Sequence, residues 1–197
     1  PGGSGYHLDL IGNFQKDYSK RKIILVKGYE HKFGRALNVI KALEFLYTKG
    51  ILKDFQIKVF GSHDVVIKYI KEKQLPFYCY TRNQLQQREV LNLMGDTTIY
   101  IGNSISDGTP NTLIEALLQG AFPIQSSPGG VIDYLVENGN NGIIIKNPEN
   151  IESIINTIKF VINSYSLREN AFNYNVSKFR AIYDFDVVKN KIVALYR

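Results

Sequence analysis

Two carboxylates eight positions apart, Asp107 and Glu115, flank the segment of this 197-residue chain best suited to holding an oxygen-rich ligand. The segment reads Gly102-Asn103-Ser104-Ile105-Ser106-Asp107-Gly108-Thr109-Pro110-Asn111 and runs into Thr112-Leu113-Ile114-Glu115-Ala116-Leu117-Leu118-Gln119-Gly120. Thr109 is suited to cap a helix and Pro110 to occupy its first position, which leaves backbone N–H groups free at the helix start. Such a start attracts phosphate or polar sugar oxygens. On this helix Leu113, Ile114, Leu117 and Leu118 fall on one side, and Thr112, Glu115 and Gln119 on the other. That spacing predicts an accessible Glu115 about one turn in. With Asp107 on the preceding loop, two carboxylates then face one crevice.

The elements that must hold this loop follow from period and punctuation. Lys22 to Lys27 is a short apolar run with β-branched character, suited to a strand covered on both faces and ended by Gly28. Ala36, Leu37, Ile40, Leu43 and Leu46 then recur at helical spacing up to Lys49-Gly50. The cycle repeats. Strands are predicted over 56–60, 77–80, 98–101, 122–125 and 142–145, with helices over 65–72, 84–93, 112–118, 131–136 and 151–162. Six strands alternating with helices predict an α/β fold: a Rossmann-like open parallel sheet with helices on both faces and right-handed crossovers. Ligands of such sheets sit beyond the carboxyl ends of the strands, where the loop of Asp107 falls.

Both ends break the rhythm. Residues 1–21, opening Pro1-Gly2-Gly3-Ser4-Gly5, read as a linker or edge segment, with Tyr6 to Ile11 able to pair at an edge. Residues 22–165 form the domain. Residues 166–197 read as a helical tail, closed by a helix that Asp186 begins, with no strand to follow and hence packing elsewhere. The chain opens without Met, which fits a fragment of a longer protein or removal of an initiator Met before Pro1; the linker-like start predicts the fragment.

Composition removes several functions. One cysteine, Cys79, forms no internal disulfide and no metal cluster, and in a predicted strand it reads as a core residue. Apolar runs stay near four residues, far below the ~18 needed to cross a bilayer, and no export signal opens the chain. A cytoplasmic location follows, with peripheral attachment to the inner membrane face left open by the net charge of +6. Because 18 acidic residues mix with 24 basic ones, the charge suits small phosphate ligands or acidic headgroups as well as nucleic acid, and no nucleic-acid partner is expected. No G-x-G-x-x-G follows a strand and no P-loop occurs. His31 and His63 lie beside predicted turns and His7 in the linker, positions where polar residues are ordinary. Asp184-Phe185-Asp186 spells Asp-x-Asp, but it precedes the last helix, where Asp186 reads as an N-cap. No metal site is expected.

The stretch from Asp107 to Ala116, with Gly120-Ala121-Phe122-Pro123-Ile124, Ser127-Pro128-Gly129-Gly130, Glu137-Asn138-Gly139 and Asn141-Gly142-Ile143-Ile144, resembles the carboxylate-x7-Glu region of retaining GT-B glycosyltransferases of glycosyltransferase family 4. The resemblance implies the nucleotide-sugar-binding, C-terminal half of a GT-B fold. The acceptor glycan would be held by a separate N-terminal half, absent here, and the terminal helix would cross back to it. It further implies that Glu115 accepts from the ribose hydroxyls and Asp107 holds hydroxyls of the donor sugar. The amides of Gly108, Thr109, Pro110, Asn111, Thr112 and Leu113 would line sugar and diphosphate, a list in which Pro110 has no N–H to offer. Gly28 would pass beneath the donor, and Tyr80, Thr81 and Arg82 would lie where the base is held. Lys32 and Arg35 are the candidates for cations that neutralise the departing diphosphate. The chain departs from the family in having Asp107 where Glu is usual and Tyr29 where Arg often follows the first-strand glycine. The implied activity is transfer of a sugar from a nucleoside-diphosphate sugar, the donor substrate, with no cofactor, in polysaccharide biosynthesis; alone, this half would bind donor without transferring it. Two alternatives share the pattern: half of a nucleotide-sugar epimerase, and a non-catalytic Rossmann-like binding module.

Overall fold

The computed structural model describes residues 5–196. Pro1 to Ser4, the glycine-rich start of the expected linker, and Arg197 lie outside the described residues. Six parallel strands form one sheet: β1 (Ile23–Lys27), β2 (Gln56–Ser62), β3 (Tyr78–Thr81), β4 (Thr97–Gly102), β5 (Phe122–Ser126) and β6 (Ile143–Ile145). Their order is β3-β2-β1-β4-β5-β6, so the winding reverses between β1 and β4. At that reversal the loops after β1 and β4 diverge to opposite faces and open a crevice.

Period-two alternation divides the core. From β1, Ile24 and Val26 point to one face and Ile23 and Leu25 to the other. The first face packs on α2 (Ala36–Thr48), α3 (Asp64–Glu72) and α6 (Ile151–Asn163), through Val39, Ile40, Leu43, Val66, Ile154 and Ile158. The second packs on α4 (Gln87–Gly95), α5 (Asn111–Leu118) and α7 (Tyr165–Tyr183), through Met94, Leu113, Leu117, Phe179 and Tyr183. The expected open parallel sheet with helices on both faces is therefore present.

Local chemistry sets the helix ends. Glu30 accepts from the Leu37 amide at 2.8 Å and caps α2 from the loop after β1. Glu89 accepts from the Gln86 amide at 2.8 Å, and Asn150 from Ser153 at 2.9 Å, starting α4 and α6.

Two expectations are corrected, the helix over 131–136 and the N-cap of the last helix. Residues 131–136 form turns instead of a helix. Gly129, Gly130 and Gly139, all at positive φ, turn the backbone out of right-handed helical geometry on either side of the segment, so Ile132, Leu135 and Val136 anchor a looped segment. The described part of 1–21 is built into the domain: α1 (Leu8–Gly12) buries Ile11, whose carbonyl accepts from Gln119 at 2.9 Å. Arg21 then plugs a buried notch, donating to the carbonyls of Lys16, Thr97 and Gln119 with its guanidinium 4.6 Å over the Phe172 ring. Of the tail, α7 packs on α5 and β5 of this same domain, because Ala171, Phe179 and Tyr183 complete its core. The last helix, α8 (Phe185–Ala194), is capped by Asp184, which accepts from the amides of Asp186 and Val187, so Asp186 lies inside it. Cys79 is half-buried, as a packing residue should be, and burial pushes its thiol up to about 11.

Candidate functional site

The crevice at the β1/β4 reversal holds a cavity of about 480 Å³. Lys27, Tyr29, Phe33, Phe60, His63, Arg82, Asp107 and Gly108 line it. The last residue of β1 is Lys27; His63 and Arg82 are the first residues beyond β2 and β3. Three adjacent strands thus each deliver a nitrogen-bearing side chain at their carboxyl ends. A second hollow of about 490 Å³ shares His63 and Arg82 and extends past Glu30 and Asp64 to Thr81.

Backbone zippering decides which residues of the β1 loop face this space. Gly34 bridges to Ser104, the Arg35 amide donates to the Asn103 carbonyl at 3.0 Å, and the Ile105 amide donates to Phe33 at 2.8 Å. Gly34 is needed where the loop folds on itself: a Cβ there would lie 2.1 Å from the Tyr29 carbonyl oxygen. Gly28 is equally confined, since a Cβ would come within 2.6 Å of the Ser62 hydroxyl. Gly28 thereby joins the β1 and β2 loops, its amide donating to Phe60 at 2.8 Å and its carbonyl accepting from His63 at 3.1 Å, and it lines neither hollow.

The zipper turns Arg35 away from the cavity. Its Nε donates to Glu149 at 3.0 Å and its Nη1 to the Gly34 carbonyl at 2.7 Å. Lys32 is exposed on the rim, with its ammonium 5.3 Å over the Phe33 ring. Neither lines the space. The cation that does line it beside an acid is Lys27, whose Nζ lies 3.3 Å from Asp107 Oδ2. Sequence reasoning passes over Lys27 and sets His63 aside as an ordinary turn residue, while Arg82 lies in the stretch expected near the base; the available signal for Lys27 is a charged residue ending an otherwise apolar parallel strand.

The start of α5 lies a residue later than expected. Pro110 is the N-cap and no side chain caps the helix, so the amides of Asn111 and Thr112 keep no helical partner. Thr109 caps nothing; its hydroxyl meets Tyr134 at 3.2 Å. The Thr112 hydroxyl meets the buried Tyr100 phenol at 2.9 Å, and the Leu113 side chain belongs to the core. Tyr80 is half-buried and lines neither hollow, whereas Thr81 lines the second and its amide donates to Gln84 Oε1 at 3.1 Å.

Glu115 departs most from expectation. It is 5% exposed, Gln119 is fully buried, and the side of α5 read as accessible is covered by α4 and the N-terminal segment. Glu115 does not line the cavity that Asp107 lines. Its Oε1 accepts from Gln87 Nε2 at 2.5 Å. Burial pushes its carboxyl up to about 7 against the opposing effect of that hydrogen bond. The site therefore places Lys27, Asp107, His63 and Arg82 in one hollow, while Glu115 is buried outside its lining. Among the described residues no group of three or more His, Cys, Asp or Glu could hold a metal ion, and no helix is long and apolar enough to cross a membrane.

A six-stranded Rossmann-like sheet with a charged crevice at its winding reversal and a helical tail has the architecture of one half of a GT-B fold. Residues 11–178 match the model of the family described as glycosyl transferases group 1, and the chain belongs to that family. Its structure resembles a glycosyltransferase from Rickettsia africae ESF-5, with TM-score 0.76 and 18% identity over 98% of this chain and 55% of that one. It also resembles HepE of Anabaena, solved with UDP-glucose, with TM-score 0.76 and 13% identity over 98% and 55%. Sucrose-phosphate synthase from Thermosynechococcus elongatus gives TM-score 0.77 and 15% identity over 98% and 50%. The chain thus spans about half the length of these solved proteins. A comparison with curated protein sequences gives no match.

Proposed function

We propose that the chain is the donor-binding half of a retaining glycosyltransferase of family 4. It would hold a nucleoside-diphosphate sugar whose sugar passes to a glycan or lipid-linked acceptor in polysaccharide biosynthesis. The observation that carries this reading is the cavity at the strand carboxyl ends, where Asp107, Gly108, Lys27 and Arg82 line one space. Carboxylate oxygens accept from sugar hydroxyls, while cations and free amides take phosphate oxygens. Glu115 suits the ribose, since its Oε1 already accepts from the Gln87 amide as it would from a ribose hydroxyl.

In the reaction the bond between the anomeric carbon and the diphosphate oxygen breaks and its electron pair stays on the diphosphate. The acceptor oxygen bonds to the same face of that carbon, and its proton passes to the departing diphosphate oxygen. Charge develops on the leaving diphosphate, so fixed positive groups beside it stabilise the transition state more than the ground state. The acceptor would be held by a second domain, in the cytoplasm or at the inner membrane face, and this chain by itself would bind donor without transferring it.

Calorimetric titration with UDP, GDP and their sugars tests the reading. Micromolar to millimolar binding of one nucleoside diphosphate, lost on Glu115→Ala, is the expected result. If the folded wild-type chain binds none of them, the reading is wrong.

A further inference from the structure

Resting on that reading, we infer that Lys27 is an exchange cation: paired with Asp107 across the crevice, it transfers to the donor's diphosphate on binding and thereby releases Asp107 for the sugar. Three observations support this. Lys27 and Asp107 line the same cavity, 3.3 Å apart, at the ends of adjacent strands β1 and β4, with Asp107 on the loop beyond β4. Both side chains are about one-quarter to one-third exposed, at 27% and 30%, so the pair is wet enough to break and near enough to the hollow to meet a ligand. Arg35, a cation of the expected set, is already committed to Glu149, and Lys32 stands on the rim. A dianionic diphosphate offers Lys27 more charge than one carboxylate does, so exchange is favourable when donor enters. The Tyr29 ring, 5.7 Å from the ammonium, steadies Lys27 in either position.

The exchange makes a counterintuitive prediction. Asp107→Asn frees Lys27 in advance, so it should bind bare nucleoside diphosphate ~2- to 5-fold more tightly, the scale of a partly exposed ion pair. Simple relief of repulsion between Asp107 and phosphate would also tighten binding, and a double-mutant cycle separates the two. Titrations use UDP with uridine, and GDP with guanosine, on wild type, Lys27→Met, Lys27→Arg, Asp107→Asn and the Lys27→Met/Asp107→Asn double variant, each checked for a cooperative melt. Lys27→Met should weaken the diphosphate about tenfold and leave the nucleoside unchanged, with Lys27→Arg restoring most of the loss. In the Lys27→Met background the gain from Asp107→Asn should vanish. Lys32→Met should change neither ligand. Undiminished gain in the double variant, or wild-type diphosphate affinity in Lys27→Met, overturns the exchange while nucleotide binding itself stands. Absence of any nucleotide binding by the wild type overturns both the exchange and the reading beneath it.

Discussion

Replacing Glu115 by glutamine should make the protein more stable at neutral pH and a poorer donor binder. In the folded chain the Glu115 carboxyl is pushed from 4.5 up to about 7, chiefly by burial, with Gln87 donating a hydrogen bond to it. Its folded-state value is raised above its unfolded one, so the stabilising contribution is present below about pH 4.5 and is lost as pH rises through about 7. At about 1.4 kcal/mol per tenfold, ionised Glu115 costs ~3 kcal/mol of stability at high pH. In the Glu115→Gln variant the new side chain is nearly isosteric, stays neutral, and offers an amide oxygen that can still accept from Gln87. The stability gap between variant and wild type should therefore widen by roughly 2 to 3 kcal/mol between about pH 5 and about pH 8. Urea denaturation across that range measures it directly, and melting at the upper end should show a gain of roughly 6–12 °C for a chain of this size. Nucleoside-diphosphate affinity should fall roughly ten- to a hundredfold, the scale of hydrogen bonds to a charged acceptor. Parallel pH curves for the two proteins would refute the buried-carboxylate account. Unchanged nucleotide affinity would remove Glu115 from the ligand site.

Two further outcomes rest on the fold. Arg21→Met leaves the carbonyls of Lys16, Thr97 and Gln119 without their shared donor; after allowing for relief of a buried cation that desolvation pushes down to about 10, a loss of about 3 kcal/mol in urea unfolding is expected. Gly34→Ala drives a methyl into the Tyr29 carbonyl, so the β1 loop must open; calorimetry should show roughly tenfold weaker nucleotide binding, alongside a smaller loss of stability of about 1–3 kcal/mol.

Much of the fold is readable from the sequence because it depends on short-range pattern. The run Ile23-Ile24-Leu25-Val26 cannot be half-exposed, and its repetition between helical stretches requires a sheet covered on both faces. The segment 131–136 misleads because apolar residues at helical spacing say nothing of whether the flanking glycines permit a helix to begin. Thr109 and Asp186 mislead as caps for a related reason: a cap is chosen by where the backbone turns, and neighbouring residues of the right type compete for the role.

The amino-acid order alone determined the alternation of strand and helix, the glycine-rich loop at the end of β4, and Asp107 as an acid beside a helix start. Tertiary structure decided which charges meet there. Contacts between Gly34 and Ser104, far apart along the chain, turn Arg35 outward and leave Lys27 facing Asp107. Packing of α4 and the N-terminal segment over α5 buries Glu115, although its helical spacing marks it as exposed. Local periodicity fixes which side of a helix a residue occupies, but only the neighbouring elements determine whether that side meets water, ligand or protein.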